Sequence, residues 1–225
     1  MQRRRMRPDA GLGTTLLVGL ALLLASCGYA EGLAEDVAGE FIDDQDYELY
    51  AGTGSIATLA RNADGVDVAL LQGALRAGDT ADDLQALGVV GFAFDRSFQP
   101  DNTRLEGIRL RFWFEPGDGD TSRLGPLVIS HVPVEEELLD PTLVPDPPGD
   151  DVAAVLNVSS SGWREVDVTN AFMSDWNAGR RLAVFVFRFG TPTDGEGDDD
   201  DVDLFPEVDG VVRRAHLVLH FGVNL

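Results

Sequence analysis

The sequence predicts an all-β protein, a jelly-roll-like antiparallel β-sandwich carrying one short helix. Two observations predict it. Short apolar stretches recur along the chain, separated by turn-forming clusters such as Asn62-Ala63-Asp64-Gly65, Pro116-Gly117-Asp118-Gly119-Asp120 and Asp209-Gly210. Period-two alternation is clear in Leu110-Arg111-Phe112-Trp113-Phe114 and in Val184-Phe185-Val186-Phe187-Arg188-Phe189, as half-buried strands require. Many short strands with this spacing indicate a sandwich or barrel rather than a βαβ sheet. A length of 225 residues with 44% hydrophobic and 25% charged composition suits one globular domain plus a short targeting segment.

Taken in order, the elements begin with residues 1–26, which read as a signal peptide. Arg3, Arg4, Arg5 and Arg7 form its basic start, and 12–24 form an apolar run too short for a comfortable membrane span. Residues 27–46 are acidic and rich in small side chains, as a solvated tether would be, and 47–225 form the predicted sandwich domain. Within it, strands are expected over 55–60, 66–71, 89–94, 108–114, 127–132, 152–158, 164–168, 182–189 and 211–221. One helix is expected over 170–177, with Thr169 as N-cap, Phe172, Met173 and Trp176 on one face, and Gly179 at its end. A weaker helix is expected over 80–87. Residues 133–151, with three consecutive glutamates and the proline cluster Pro141, Pro145, Pro147 and Pro148, read as a long surface excursion.

The junction after the apolar run, Leu24-Ala25-Ser26-Cys27, resembles the lipobox of bacterial lipoprotein precursors. Small residues let the extended backbone enter a peptidase cleft, and the thiol accepts a diacylglycerol. Cys27 is the only cysteine, so an exported chain has no intramolecular disulfide for it to make, and lipidation gives it a role. The expectation is a protein held outside the cytoplasm by acyl chains on Cys27, at the outer membrane or the outer face of the cytoplasmic membrane.

The formal charge of −22 and a sequence pI of about 4.2 exclude a nucleic-acid partner, which needs a basic footprint to displace counterions from phosphate. All 17 basic residues are arginines. Dense surface carboxylate keeps a protein hydrated in salt, so the acidity needs no ligand to explain it.

From Val90-Gly91-Phe92-Ala93-Phe94-Asp95, through the arginine, leucine and aromatic residues of 103–114, the order of pieces continues to Gly162-Trp163-Arg164-Glu165-Val166-Asp167-Val168-Thr169. A helix bearing Trp176, the loop Gly179, the apolar run 182–189 and the closing His216-Leu217-Val218-Leu219-His220-Phe221 follow. Over about 89–221 this order resembles the DNRLRE-type domain, a β-sandwich similar to carbohydrate-binding modules and found in secreted and surface proteins. The resemblance implies a sandwich fold and glycan binding.

Asp194, Glu196, Asp198, Asp199, Asp200, Asp201 and Asp203 lie in a glycine-punctuated loop and supply hard oxygen ligands of the kind calcium takes. An EF-hand register fails, because starting at Asp199 puts Leu204 at the turn glycine and Gly210 at the bidentate glutamate. Bound calcium, through Asp194, Glu196, Asp198, Asp199, Asp201 and Asp203, and a solvated charge run are both open. His216 and His220 read as a surface pair on a strand, without the further ligand that zinc needs, and His131 as structural. Trp113, alternating with Phe112 and Phe114, is the candidate sugar-stacking residue, while Trp163 and Trp176 read as core. No Gly-x-Ser-x-Gly elbow, phosphate cradle or cofactor fingerprint appears. The function that the resemblance implies is a non-catalytic binding module for glycan or envelope polymer. The alternatives are a structural lipoprotein that binds another envelope protein and, less favoured, a glycoside-acting enzyme.

Overall fold

A computed structural model describes residues 39–41, 46–117, 119–135 and 151–223. The expected signal peptide, Cys27 and most of the expected acidic tether lie outside the described residues. The strands are β1 (Gly39–Phe41), β2 (Asp46–Tyr50), β3 (Ile56–Arg61), β4 (Asp67–Gln72), β5 (Arg76–Asp79), β6 (Gln85–Ala93), β7 (Thr103–Pro116), β8 (Leu127–Val132), β9 (Val152–Leu156) and β10 (Gly162–Asp167). Helix α1 (Thr169–Ala178) follows, then β11 (Leu182–Phe189), β12 (Asp200–Asp203), β13 (Glu207–Val208), β14 (Val211–Val212) and β15 (His216–Val223).

The front sheet runs β1-β2-β15-β7-β10 and the back sheet β4-β3-β6-β11-β8-β9, every neighbouring pair antiparallel. Strand β5 pairs with the start of β6 and with β12, and β12 pairs with the end of β7, so the two sheets join into one curled sheet. This is the all-β, sandwich-like fold expected from the sequence. All the described residues belong to one compact unit, Asp36–Leu225.

In β7 the alternation does what its pattern dictates: Ile108, Leu110, Phe112 and Phe114 are buried between the sheets, and Arg109, Arg111 and Trp113 point away. Strand β11 differs from expectation. Its Phe185, Phe187 and Phe189 enter the main core, but Val184 and Val186 are also buried, in a second cluster with Leu59, Leu87, Val89, Val132 and Leu182. The run alternates large with small apolar side chains rather than apolar with polar, so the strand is buried on both faces instead of one.

The helix expected over 80–87 is absent. Thr80 N donates to Leu84 O (3.0 Å), Asp83 N donates to Thr80 O (2.8 Å), and Asp83 adopts a φ of 57°. This tight turn joins β5 to β6, with Asp79 opposite Gln85, because an aspartate tolerates the left-handed region that a helix interior excludes. The expected strand 211–221 divides into β14 and β15. Helix α1 forms as expected and ends at Gly179 (φ 83°), which frees the chain to turn. Its first turn is capped differently: Asp167 Oδ1 accepts from Thr169 N (2.8 Å), while the Thr169 hydroxyl accepts from Ile108 N (2.9 Å) and so ties the helix to β7. Trp176 is half-buried against the main core, as expected, stacked near Phe94 and Phe172.

Candidate functional site

The outward face of the front sheet is built by register. Trp163 on β10 lies opposite Trp113 on β7. The next outward row is Glu165, Arg111, His216 and Tyr50, across β10, β7, β15 and β2, and the one after it holds Asp167, Arg109, Val218 and Glu48. Because side chains alternate along each strand, the apolar residues between these rows fill the core and the polar and aromatic ones gather here.

The rings touch in sequence. Trp113 and Trp163 meet edge to face at 5.6 Å between centroids, Trp163 meets His216 at 5.5 Å, and His216 meets Tyr50 at 5.0 Å. Guanidinium groups cap both indoles: Arg111 lies 5.0 Å from the Trp163 ring and Arg213 lies 5.1 Å from that of Trp113. The Trp113 indole N–H donates to Glu115 Oε2 (2.7 Å), which fixes the ring. Trp113 thus stands on the outward face as expected. Trp163 corrects the sequence reading, being half-buried on the same face rather than in the core. A tryptophan opposite a tryptophan in an antiparallel pair must share its face, and that pairing was not visible from β10 alone.

His216 is a second correction. It is 4% exposed, not a surface residue, and its Nδ1–H donates to the Arg214 carbonyl (3.0 Å). A carbonyl only accepts, so the proton sits on Nδ1 and Nε2 is a bare acceptor, buried without a hydrogen-bond partner and 3.8 Å from Glu48 Oε1. Burial holds its pKa below the ordinary histidine value, with Arg111 adding to that effect and the Arg214 carbonyl, Glu48 and Glu165 opposing it. Its partner in the sequence reading, His220, is half-buried and bonds Asp46 Oδ1 through Nδ1 (2.5 Å).

A histidine that is neutral when folded and protonated when unfolded makes stability rise with pH between its depressed folded value and about 6.5. The contribution is complete above about 6.5 and is lost as pH falls through that window. Thermal melts of the protein and of His216→Gln between about pH 5 and pH 8 check this. The difference between the two curves is expected to slope below about 6.5 and to be level above it; a difference level throughout would refute it.

Two clefts open on this face. One, about 310 Å³, lies beside the β13–β14 hairpin and is lined by Tyr50, Arg111, Trp163, Arg213, Arg214 and His216, with Glu48 and two valines. The other, about 540 Å³, is lined by Asp46, Glu106, Arg109, Glu165 and His220 among others, and there Arg109 and Glu165 pair at 2.6 Å. A third concavity, about 510 Å³, lies where α1 starts beside β9 and has His131 among its lining residues. His131 is structural, as the sequence suggested: its Nε2 bonds Asp175 Oδ2 (2.7 Å), and Asp175 Oδ1 accepts from Arg180 (3.2 Å).

The acidic loop is distributed rather than gathered. Glu196 pairs with Arg123, Asp201 lies 3.4 Å from Arg76, Asp203 accepts from Phe205 N, and Asp194 accepts from Glu196 N. Asp198 and Asp199 line a shallow concavity with Asp120, Arg123 and Asp200. Burial raises the pKa of Asp200, against the hydrogen bond from the Asp120 backbone N–H and with the charges of Asp194, Asp198 and Asp120 adding; burial also raises that of Asp201, with Arg76 opposing and Asp199 and Asp203 adding. Asp79, which the sequence reading passed over, is fully buried and accepts from Thr193 and from Asp194 N (3.0 Å). Among the described residues no group of three or more His, Cys, Asp or Glu side chains is placed to hold a metal ion. Among them also, no helix is long and apolar enough to cross a membrane.

The fold and this face define an all-β antiparallel sandwich with a polar and aromatic sheet surface. No protein-family model matches the chain, and no curated protein matches it.

Proposed function

We propose that the protein is a non-catalytic binding module that takes glycan or another envelope polymer on the outward face of the front sheet. In this reading it is displayed outside the cytoplasm on a lipid anchor at Cys27. The observation that carries the binding role is the contiguous set of Trp113, Trp163, His216 and Tyr50 rings, interleaved with Arg109, Arg111, Glu48 and Glu165, on a rigid sheet. Sugars present apolar ring faces and paired hydroxyls, and rings among fixed donors and acceptors answer both. The anchor rests on Leu24-Ala25-Ser26-Cys27 behind a basic and apolar leader.

The test is a panel of neutral and acidic polysaccharides offered to the full chain in detergent micelles. Saturable binding to at least one polymer is expected, weakened at least about tenfold in Trp163→Ala, the loss expected when a stacking or charge-assisted contact is removed. Binding to none of the panel, or equal binding by the variant, would overturn the reading. A second reading, a lipoprotein that contacts another envelope protein, draws support from β4. Val68, Leu70 and Leu71 are 51%, 40% and 52% exposed on this edge strand, which could accept a partner's strand.

A further inference from the structure

The smaller cleft differs in charge from the rest of the molecule. The chain carries 39 acidic residues against 17 arginines, yet Arg111, Arg213 and Arg214 line this one space and Glu48 is its only carboxylate. Glu48 is already engaged by the Tyr50 hydroxyl. Elsewhere on the same face an arginine is neutralised, as Arg109 is by Glu165. Among the described residues Arg111 and Arg213 have no such partner and are held instead against the indoles of Trp163 and Trp113. A guanidinium laid on a ring keeps its in-plane N–H groups free and its position fixed, which is how an anion-binding arginine is preorganised.

Two buried atoms of the cleft residues lack partners, and they are of opposite kinds. Arg213 Nε is a donor without an acceptor, and His216 Nε2 is an acceptor without a donor, on a side chain 4% exposed. Buried polar groups are ordinarily satisfied, so an orphaned donor and an orphaned acceptor on two residues that line one cleft point to a ligand that supplies both kinds of partner. It offers an acceptor, anionic by the charge of the surroundings, and a hydroxyl donor. A volume of about 310 Å³ holds one sugar ring and little more.

We propose that this cleft is a subsite for a carboxylated sugar unit, the carboxylate lying against Arg111 and Arg213 and a ring hydroxyl donating to His216 Nε2. The inference rests on the reading of the front sheet as a glycan-binding face and names the class of unit that face selects. Trp113 and Trp163 act in it as positioning residues that hold the guanidinium groups.

The experiment is titration calorimetry on the full chain in detergent micelles, with chelator present. The probes are oligomers of galacturonate and of glucuronate, each against its methyl ester, which keeps every hydroxyl and replaces the charge with a methyl group. At least one acid is expected to bind at least about tenfold more tightly than its ester, the value of one charge-assisted pair. Arg213→Gln and Arg111→Gln are each expected to bring that preference below about twofold, and Arg213→Lys, which keeps the charge without the Nε donor, to give an intermediate value. Melting temperatures identify any variant that is merely unfolded, and agreement between the two positions guards against that failure. Esters bound as tightly as acids, with both lost in Trp163→Ala, would overturn the subsite while leaving the glycan-binding face standing. An acid preference that survives in both glutamine variants would do the same. Binding to no acid, no ester and no neutral polysaccharide would overturn the subsite and the function together.

Discussion

Replacing Asp175 with alanine is expected to cost about 3–5 kcal/mol of folding stability, the loss found when one member of a buried ionic group is removed. Asp175 is completely buried in α1, with one carboxylate oxygen on His131 of β8 and the other on Arg180 just past the helix. Without it, the buried His131 imidazole loses its partner and Arg180 keeps only Glu135, at 2.9 Å. In a domain of this size each kcal/mol moves the melting temperature by roughly 2–4 °C, so the melt should fall by about 10 °C. Asp175→Asn keeps one acceptor oxygen and should cost less. An alanine variant that melts within about 2 °C of the parent, under 1 kcal/mol, would show the triad to be dispensable.

Phe187→Ala is expected to cost a similar amount, about 3–5 kcal/mol. Phe187 on β11 is fully buried and meets Phe112 on β7 edge to face at 5.0 Å, so it spans the two sheets at the middle of the core. Removing the ring takes away its transfer energy and leaves a cavity that two hydrogen-bonded sheets close only in part. Leu70→Ala, on the exposed edge strand β4, serves as the control and should change stability by no more than about 0.5 kcal/mol. Urea denaturation of the three proteins gives the comparison, and equal midpoints for Phe187→Ala and Leu70→Ala would sink it.

Elements whose pattern is local were legible in the sequence. The polar and apolar alternation of β7, the turn glycines, and the amphipathic face and glycine stop of α1 each state their structure within a dozen residues. What was not legible depends on partners far along the chain. Trp163 reads as core until Trp113 is placed across from it, and His216 reads as surface until Tyr50, Trp163 and the Arg214 carbonyl close around it. In β11 the pattern was visible but ambiguous, since phenylalanine alternating with valine says which side chains share a face and not whether the other face is dry. The 80–87 segment failed for a related reason: its helix-compatible residues were overruled by pairing between β5 and β6. Of the proposed binding face, Trp113 was found because its own strand alternates cleanly. Arg213 carried no signal, because only the fold brings it over that ring.

The position of β15 has a consequence for when the molecule can form. This strand lies between β2 and β7, so the middle of the front sheet is supplied by residues 216–223, made some 170 residues after β2. During synthesis β2 has only the short β1 to pair with, and the tryptophans on β7 and β10 have no histidine or tyrosine row beside them, until that late segment arrives. The nascent chain therefore stays open at the sheet that carries the clefts, and the front sheet closes only once β15 has been released. Such closure across distant sequence is intrinsically slow, so the chain remains threadable for longer than a protein built from neighbouring hairpins would.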